Sequence, residues 1–595
     1  MAIVTGLAVA WLVRRPVETP AKLTERQLTA NPLENYVARG AISSDGKYVA
    51  YVDQTGLYLR SIESGETRAV SVPTELRSRI FGIRWFPEGG KLLAVAASSE
   101  GTDLWAITIL GEAAPRLLYR HGAGPAVSPD GRLIAFGSYD FKERFSQLLV
   151  GSVNGEPPRK LVTPQENEDV SSPVWSPDGR WLAYERVWKT AQGSWSSAIE
   201  VRLADGGPAE TLVSESSLPK SSSFDCAYLC FAWSPDWRLV FPVSQASGSP
   251  TKHATHGLWA IRVEPQKVKA ASKPERLVQT GVFVPRDLTI TADGNRLSFR
   301  KELTWDDVYL AELGPDGASM KLPRRFTLDN RGSYPDDWTR DSQAILFSSE
   351  RNGKSQVFKQ GLKETVPEPV VESPGDDYGA RMSPDGFWLL YGESPRATPN
   401  ARPSPVRLMR RPIGGGSPEM VLEEPGGAQW DFNCPARPGS SCVLRQKEEK
   451  DYVFYSLDPV RGKGQQLGKI EVSYGTGWNI SPDGSRLALV DPHKYHGRIE
   501  VLTVSDRAWH EVSGEPGWGD FQKIAWAADE KGFFVTSWLP DSWNLLHVTL
   551  AGKVSPLLRN GHRQWMTNPL PSPDGKYLAF KAQTFDSNVW MLEGF

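Results

Sequence analysis

The nine residues Ser128 to Phe136, SPDGRLIAF, decide how the rest of the chain is read. Ser, Pro, Asp and Gly fill successive turn positions: proline presets φ at the second, aspartate suits the third, and glycine supplies the positive φ that follows. The apolar alternation after the turn is that of a strand, so the phrase predicts a hairpin. It returns as SPDGRWLAY from Ser176, SPDWRLVF from Ser234, SPDGFWLLY from Ser383, SPDGSRLAL from Ser481 and SPDGKYLAF from Ser572. Weaker copies are SSDGKYVAY from Ser43, FPEGGKLLAV from Phe86, TADGNRLSF from Thr291, TRDSQAILF from Thr339 and AADEKGFFV from Ala527.

The acidic anchors of these copies are Asp45, Glu88, Asp130, Asp178, Asp236, Asp293, Asp341, Asp385, Asp483, Asp529 and Asp574. They recur about every 48 residues, in the range of about 40 to 50 typical of four-stranded propeller blades. Asp385 and Asp483 lie two periods apart, and Cys434 to Leu444 (CPARPGSSCVL) takes the place of the missing copy, giving twelve repeats. Around each turn the pattern predicts four antiparallel strands. The strand before it often ends in tryptophan (Trp85, Trp175, Trp233, Trp338, Trp526), which reads as packing between neighbouring blades. The strand after it is the LIAF type. A third follows, as in TDLWAITIL from Thr102 or RIEVLTV from Arg498, and a short fourth, as in PRLLYR from Pro115. The fold class is therefore all-β: two β-propellers with twelve four-stranded blades in total, six plus six, because one ring rarely exceeds eight blades. The expected division is 1–21 for an apolar leader, 22–322 for the first propeller and 323–595 for the second.

The two ends of the chain bear on closure. ERQLTANP from Glu25 reads as a fourth strand with nothing before it, and the last repeat stops after a third strand, SNVWMLEGF. If one ring is finished before the next begins, ERQLTANP completes the blade whose inner strands end near Asp316. RRFTLDN from Arg324 then completes the blade of Ser587 to Phe595. Sequential closure of this kind is the expectation; direct pairing of ERQLTANP with the C-terminal strand is the interleaved alternative.

Lys and Arg total 68 against 70 Asp and Glu, a formal net charge of −2, which gives no whole-chain field to draw in nucleic acid or acidic lipid. The leader Ala2 to Val13, AIVTGLAVAWLV, is followed by Arg14 and Arg15. It is shorter than the about 20 residues a spanning helix needs. It reads as the tail of a transmembrane helix, with an atypical signal sequence or a non-structural leader as alternatives. Anchoring through the N-terminus is the corresponding partner expectation. Cys226 with Cys230, and Cys434 with Cys442, are close enough to close as disulfides in an oxidising compartment; buried free thiols are the alternative, more so for the first pair.

Several features suggest chemistry and are outweighed. The recurring aspartates Asp45, Asp130, Asp178, Asp236, Asp293, Asp385, Asp483 and Asp574 read as structural turn residues, because the turn slot accounts for them. His253 with His256, and His493 with His496, have neighbouring Pro and Gly and no third ligand, so no metal site is assigned. The basic stretch from Arg402 to Arg411 and the glycines Gly414 to Gly416 lack a strand-to-helix context for phosphate. No G-x-S-x-G elbow occurs, so no catalytic residue and no cofactor is assigned and the chain reads as a non-enzyme. A lactonase- or dehydrogenase-type propeller site, drawn from single residues on many blades, is the alternative.

The turn phrases resemble the propeller repeats of TolB and of prolyl-oligopeptidase-type enzymes. LTANPLENYVARGAISSDGKYVAYVDQTGLYLRSIESGET near the start, FSSERNGKSQVFKQ from Phe347 and DSNVWMLEGF at the end resemble the propeller sensor region of acidobacterial membrane serine/threonine kinases and winged-helix regulators. The resemblance runs from about Leu23 onward, without the kinase or DNA-binding part. It implies an extracytoplasmic sensor module in signal transduction, at the cell membrane with periplasmic propellers. Its ligand would be a protein, glycan or small molecule, and a soluble TolB-like periplasmic scaffold is the alternative.

Overall fold

The computed structural model describes residues 23–595 apart from 78, 99–100, 110, 112, 140–145, 191–192, 227–228, 247–253, 396–404, 427–428, 472–474, 495, 540–541 and 562–564. The leader, His253 and the start of the basic stretch at Arg402 therefore lie outside the described residues. The chain forms two six-bladed β-propellers. Blades 1 to 5 are four-stranded antiparallel sheets built from consecutive strands within 39–69, 80–119, 122–162, 168–214 and 222–281. Blades 7 to 11 occupy 333–369, 376–424, 430–471, 477–513 and 520–561 in the same way. The inner strand of blade 5 is split into Ser222–Phe224 and Ala232–Trp233.

Each SPDG phrase is a self-contained hydrogen-bonded unit. In blade 3 the Ser128 hydroxyl donates to Asp130 at 2.5 Å and accepts from the Leu133 N–H at 2.9 Å, while Asp130 accepts from the Arg132 N–H at 3.1 Å. Gly131 supplies φ +72°. The same Ser/Thr-to-Asp contact occurs at Asp45, Asp178, Asp293, Asp341, Asp385, Asp483 and Asp574. Asp236 is the exception among the expected turn aspartates. Its loop is one residue shorter, closing from Ser234 to Arg238, and its carboxylate takes the Arg238 guanidinium at 2.7 Å.

The tryptophans that end the inner strands hold blades together through polar tips as well as apolar bodies. The indole N–H groups of Trp85, Trp175 and Trp338 donate to the main-chain carbonyls of Ala41, Ala126 and Leu570, each on the preceding blade of its ring. Trp338 and Trp526 are fully buried.

Blades 6 and 12 are where the structure departs from the sequence expectation. Arg296–Glu312 and Tyr577–Glu593 are single strands of 17 residues, paired antiparallel along their whole length from Arg296↔Glu593 to Glu312↔Tyr577. At about 3.4 Å per residue each spans roughly 55 Å, enough to leave one ring and enter the other. Blade 6 is made of Val284–Ile290, the first part of the Arg296–Glu312 strand, the last part of the Tyr577–Glu593 strand and Thr24–Gln27. Blade 12 is made of Met566–Pro571, the first part of Tyr577–Glu593, the last part of Arg296–Glu312 and Arg324–Arg325.

Three expectations are corrected by this exchange. The strand at Glu25 pairs directly with the C-terminal strand, so closure is interleaved rather than sequential. RRFTLDN completes blade 12 through Tyr309 and Leu310, away from Ser587 to Phe595. A single cut at Leu322 does not separate the rings, because residues 306–312 belong to the second and 587–593 to the first. The cause is local: neither long strand contains a glycine or proline where a hairpin would have to turn. Buried polar groups fix the crossing. Arg300, fully buried, reaches Asp287 at 2.9 Å, Ser587 at 2.7 Å and Glu302; Asp307, also fully buried, accepts from Trp305, Thr327 and Thr584.

Candidate functional site

Propeller inner strands alternate between the neighbouring blade and the central channel, so each blade delivers about one side chain to a shared space. In the second ring these side chains are mostly polar. They enclose a cavity of ≈ 260 Å³ lined by Asp336, Arg381, Asp431, Lys523 and Asn568 from five blades, with Thr476 and Trp478 from the sixth. Arg445, from the second strand of blade 9, reaches in beside them.

The charges there are unevenly matched. Arg445 grips Asp431 with two hydrogen bonds, at 2.8 and 2.6 Å, and donates to the Thr476 carbonyl at 3.2 Å; the Trp478 indole N–H adds a bond to Asp431 at 3.0 Å. Arg381 is spent on the main-chain carbonyls of Asp336 and Ala380 and on the Asn433 side chain. Burial pushes the Asp336 carboxyl up to about 6, against the pull of Arg381 and the Ser348 hydroxyl. Among the described residues Lys523 makes one hydrogen bond, to the Gly475 carbonyl at 3.3 Å, out of three that an ammonium offers. Burial, and then the neighbouring Arg445, lower its pKa, with Asp431 opposing. Three cations thus face two carboxyl groups, of which Asp336 is the one raised by burial, with Trp430, Trp478 and Tyr378 as aromatic wall.

A larger cleft of ≈ 460 Å³ lies where the rings meet, lined by Trp305, Asp306 and Tyr334 among others. Its Asp306 is matched by Lys581 at 3.1 Å, so it holds no comparable surplus of charge.

Both cysteine pairs are disulfides. Cys434–Cys442, with Cα atoms 4.2 Å apart, ties the loop that stands in for the SPDG turn in blade 9. Cys226–Cys230, at 5.5 Å, straddles the split inner strand of blade 5. The histidines stay dispersed: His256 meets Asp225 at 2.7 Å and the exposed His496 meets Asp520 at 2.7 Å. Among the described residues no three His, Cys, Asp or Glu side chains are grouped to hold a metal ion, and no helix is long and apolar enough to cross a membrane. Sequence reasoning singled out none of the channel residues. The alternation that points Lys523 inward is shared with every other strand.

No family model and no curated protein matches the chain. Solved structures that it is similar to include the tricorn protease (14% identity, TM-score 0.33, 90% of this chain and 54% of that one). A second comes from a structural and mechanistic analysis of two prolyl endopeptidases (13% identity, TM-score 0.30, 71% and 55%). A third is the nidogen/laminin complex (12% identity, TM-score 0.31, 41% and 90%). The chain spans about half the length of the first two. Two of the three are peptidases, and the expectation of a non-enzyme is withdrawn on that finding. At these identities the likeness is one of fold, and the fold is the all-β double propeller.

Proposed function

We propose that this chain is an extracytoplasmic binding and sensing module that takes a small anionic ligand into the channel of its second ring. The observation that carries the reading is Lys523, a largely buried ammonium with donors to spare beside Arg445 and Arg381. An entering carboxylate would gain charge-assisted hydrogen bonds in a site of low dielectric, where they are stronger than in water. Trp430 and Trp478 offer apolar surface to the rest of the ligand, and a pocket of this mixed lining is what small-molecule sites generally present. The two disulfides support an oxidising, extracytoplasmic setting.

The test is a thermal-shift screen of mono-, di- and tricarboxylates and sugar acids against the wild type and Lys523→Gln. A ligand present at about 100 times its Kd adds about 2.7 kcal/mol to the folded state. The expected result is a rise in Tm with some of these anions that Lys523→Gln removes. Equal responses in the variant, or no stabilisation by any of them, would overturn the reading.

A further inference from the structure

The first ring's channel is closed by a side chain that crosses it. Arg84 rises from the inner strand of blade 2, and its guanidinium donates to the carbonyls of Leu229 in blade 5, at 3.1 Å, and Leu288 in blade 6, at 3.0 Å. On the face that carries the SPDG turns this leaves a cup of ≈ 390 Å³ with Arg84 at its floor. The wall is largely apolar, with Pro129, Pro177 and Pro235 from three of the turns and Trp85, Trp175 and Trp233 beneath them. Among the described residues the Trp233 indole N–H, unlike those of Trp85 and Trp175, is buried without a hydrogen-bond partner.

The charge below the cup is one cation in excess. Arg39 and Arg300 face Asp287 at 3.7 and 2.9 Å. Arg286 faces Asp225 at 3.3 Å and Glu302 at 3.6 Å, and Arg300 also meets Glu302. Among the described residues four arginines thus stand against three carboxylates, and Arg84, which Asp287 attracts without a direct contact, is the one with no ion pair. Its hydrogen bonds go to neutral carbonyls, which orient the guanidinium without cancelling its charge. Burial pushes it down to about 10, so it is cationic at neutral pH.

We propose that this cup is a second binding site, independent of the channel in the other ring, for a carboxylate carried on an apolar body. The carboxylate would sit on Arg84 and the apolar part against the proline rim. Two sources present that chemistry, a free acyl acid and the C-terminus of a peptide ending in an apolar residue.

Calorimetry with two acid and amide pairs tests it: octanoate with octanamide, and N-acetyl-Ala-Leu acid with its amide. At least one acid should bind the wild type about tenfold or more tighter than its amide, because a hydrogen bond to a charged group exceeds a neutral one by that order. Whichever acid binds names the source. Arg84→Gln should erase the preference. Should that variant fail to fold, Ala292→Glu decides: Ala292 is an exposed residue on the rim, and a carboxylate there should weaken acid binding severalfold and leave the amide unchanged. Lys523→Gln should leave binding to the cup intact, which separates this site from the second-ring channel. Acid and amide binding alike, neither acid binding, an acid preference that survives Arg84→Gln, or one that Ala292→Glu leaves undiminished would overturn the proposal.

Discussion

Gln27 lies in register opposite Trp590, so the first ring is closed by two strands from opposite ends of the sequence. Lys301 locks the seam, with its ammonium 2.7 Å from Glu25 and 4.0 Å from the centre of the Trp590 ring.

A chain that starts at Tyr36 should therefore lose hydrogen-exchange protection first at residues 587–593 and in blade 6, where the Tyr577–Glu593 strand becomes a bare edge. Blades 7 to 11 should keep theirs. Uniform loss across both rings, or loss confined to blades 7 to 11, in exchange mass spectrometry would contradict the pairing.

Removing the Cys434–Cys442 link by a double serine substitution should lower stability by about 2–3 kcal/mol, the loop-closure value for so short a span. In blade 9 the disulfide does the work that the Ser-Asp-Gly hydrogen bonds do elsewhere, so the loss should appear there before other blades. Peptide mapping of unreduced protein should show the link, and two alkylated thiols in protein exported to a periplasm would contradict it.

Asp336 predicts a pH dependence of definite sign. Its carboxyl is raised by burial to about 6, against about 3.9 in an unfolded chain. Between those values the folded state holds more protons than the unfolded one, so stability falls as pH rises from about 4 to about 6 and levels off above. Asp336→Asn keeps an acceptor for the Ser348 hydroxyl and should flatten that part of a Tm-against-pH curve. An unchanged slope would place the titration elsewhere, with Asp377, which burial also raises to about 6, as the next residue to substitute.

Trp338 joins blade 7 to blade 12 through its bond to the Leu570 carbonyl at 2.9 Å. Trp338→Phe keeps most of the apolar bulk, removes the donor and strands a carbonyl, at a cost of about 1–3 kcal/mol. Denaturant unfolding should show the second ring opening earlier than in the wild type. No change in midpoint would mean that the indole N–H contributes nothing to closure.

The blades were legible because their information is local. Ser128, Asp130 and Gly131 make the turn by contacts within six residues, and the repeat then supplies the count. The crossing was illegible for the opposite reason. Lys301 and Asn588 become neighbours only across about half the chain, and the sole local trace is a missing turn after Arg300. The channel was hidden in another way: Lys523 stands between Gln522 and Ile524 in an ordinary alternating strand, and its meaning depends on Asp431 and Arg445, two blades away. Asp236 shows that even a repeated phrase changes role when its loop loses one residue.

The exchanged strands also set an order of events for biogenesis. Residues 587–593 are the third strand of a blade whose other members come from the first half of the chain, so the first ring stays open while the whole of the second is being synthesised. Blades 1 to 5 must wait with an unsatisfied edge, and a polypeptide threaded across a membrane would need that edge shielded until its last segment arrives. Once both crossing strands are in place, neither propeller can be shed, swapped or inherited without the other.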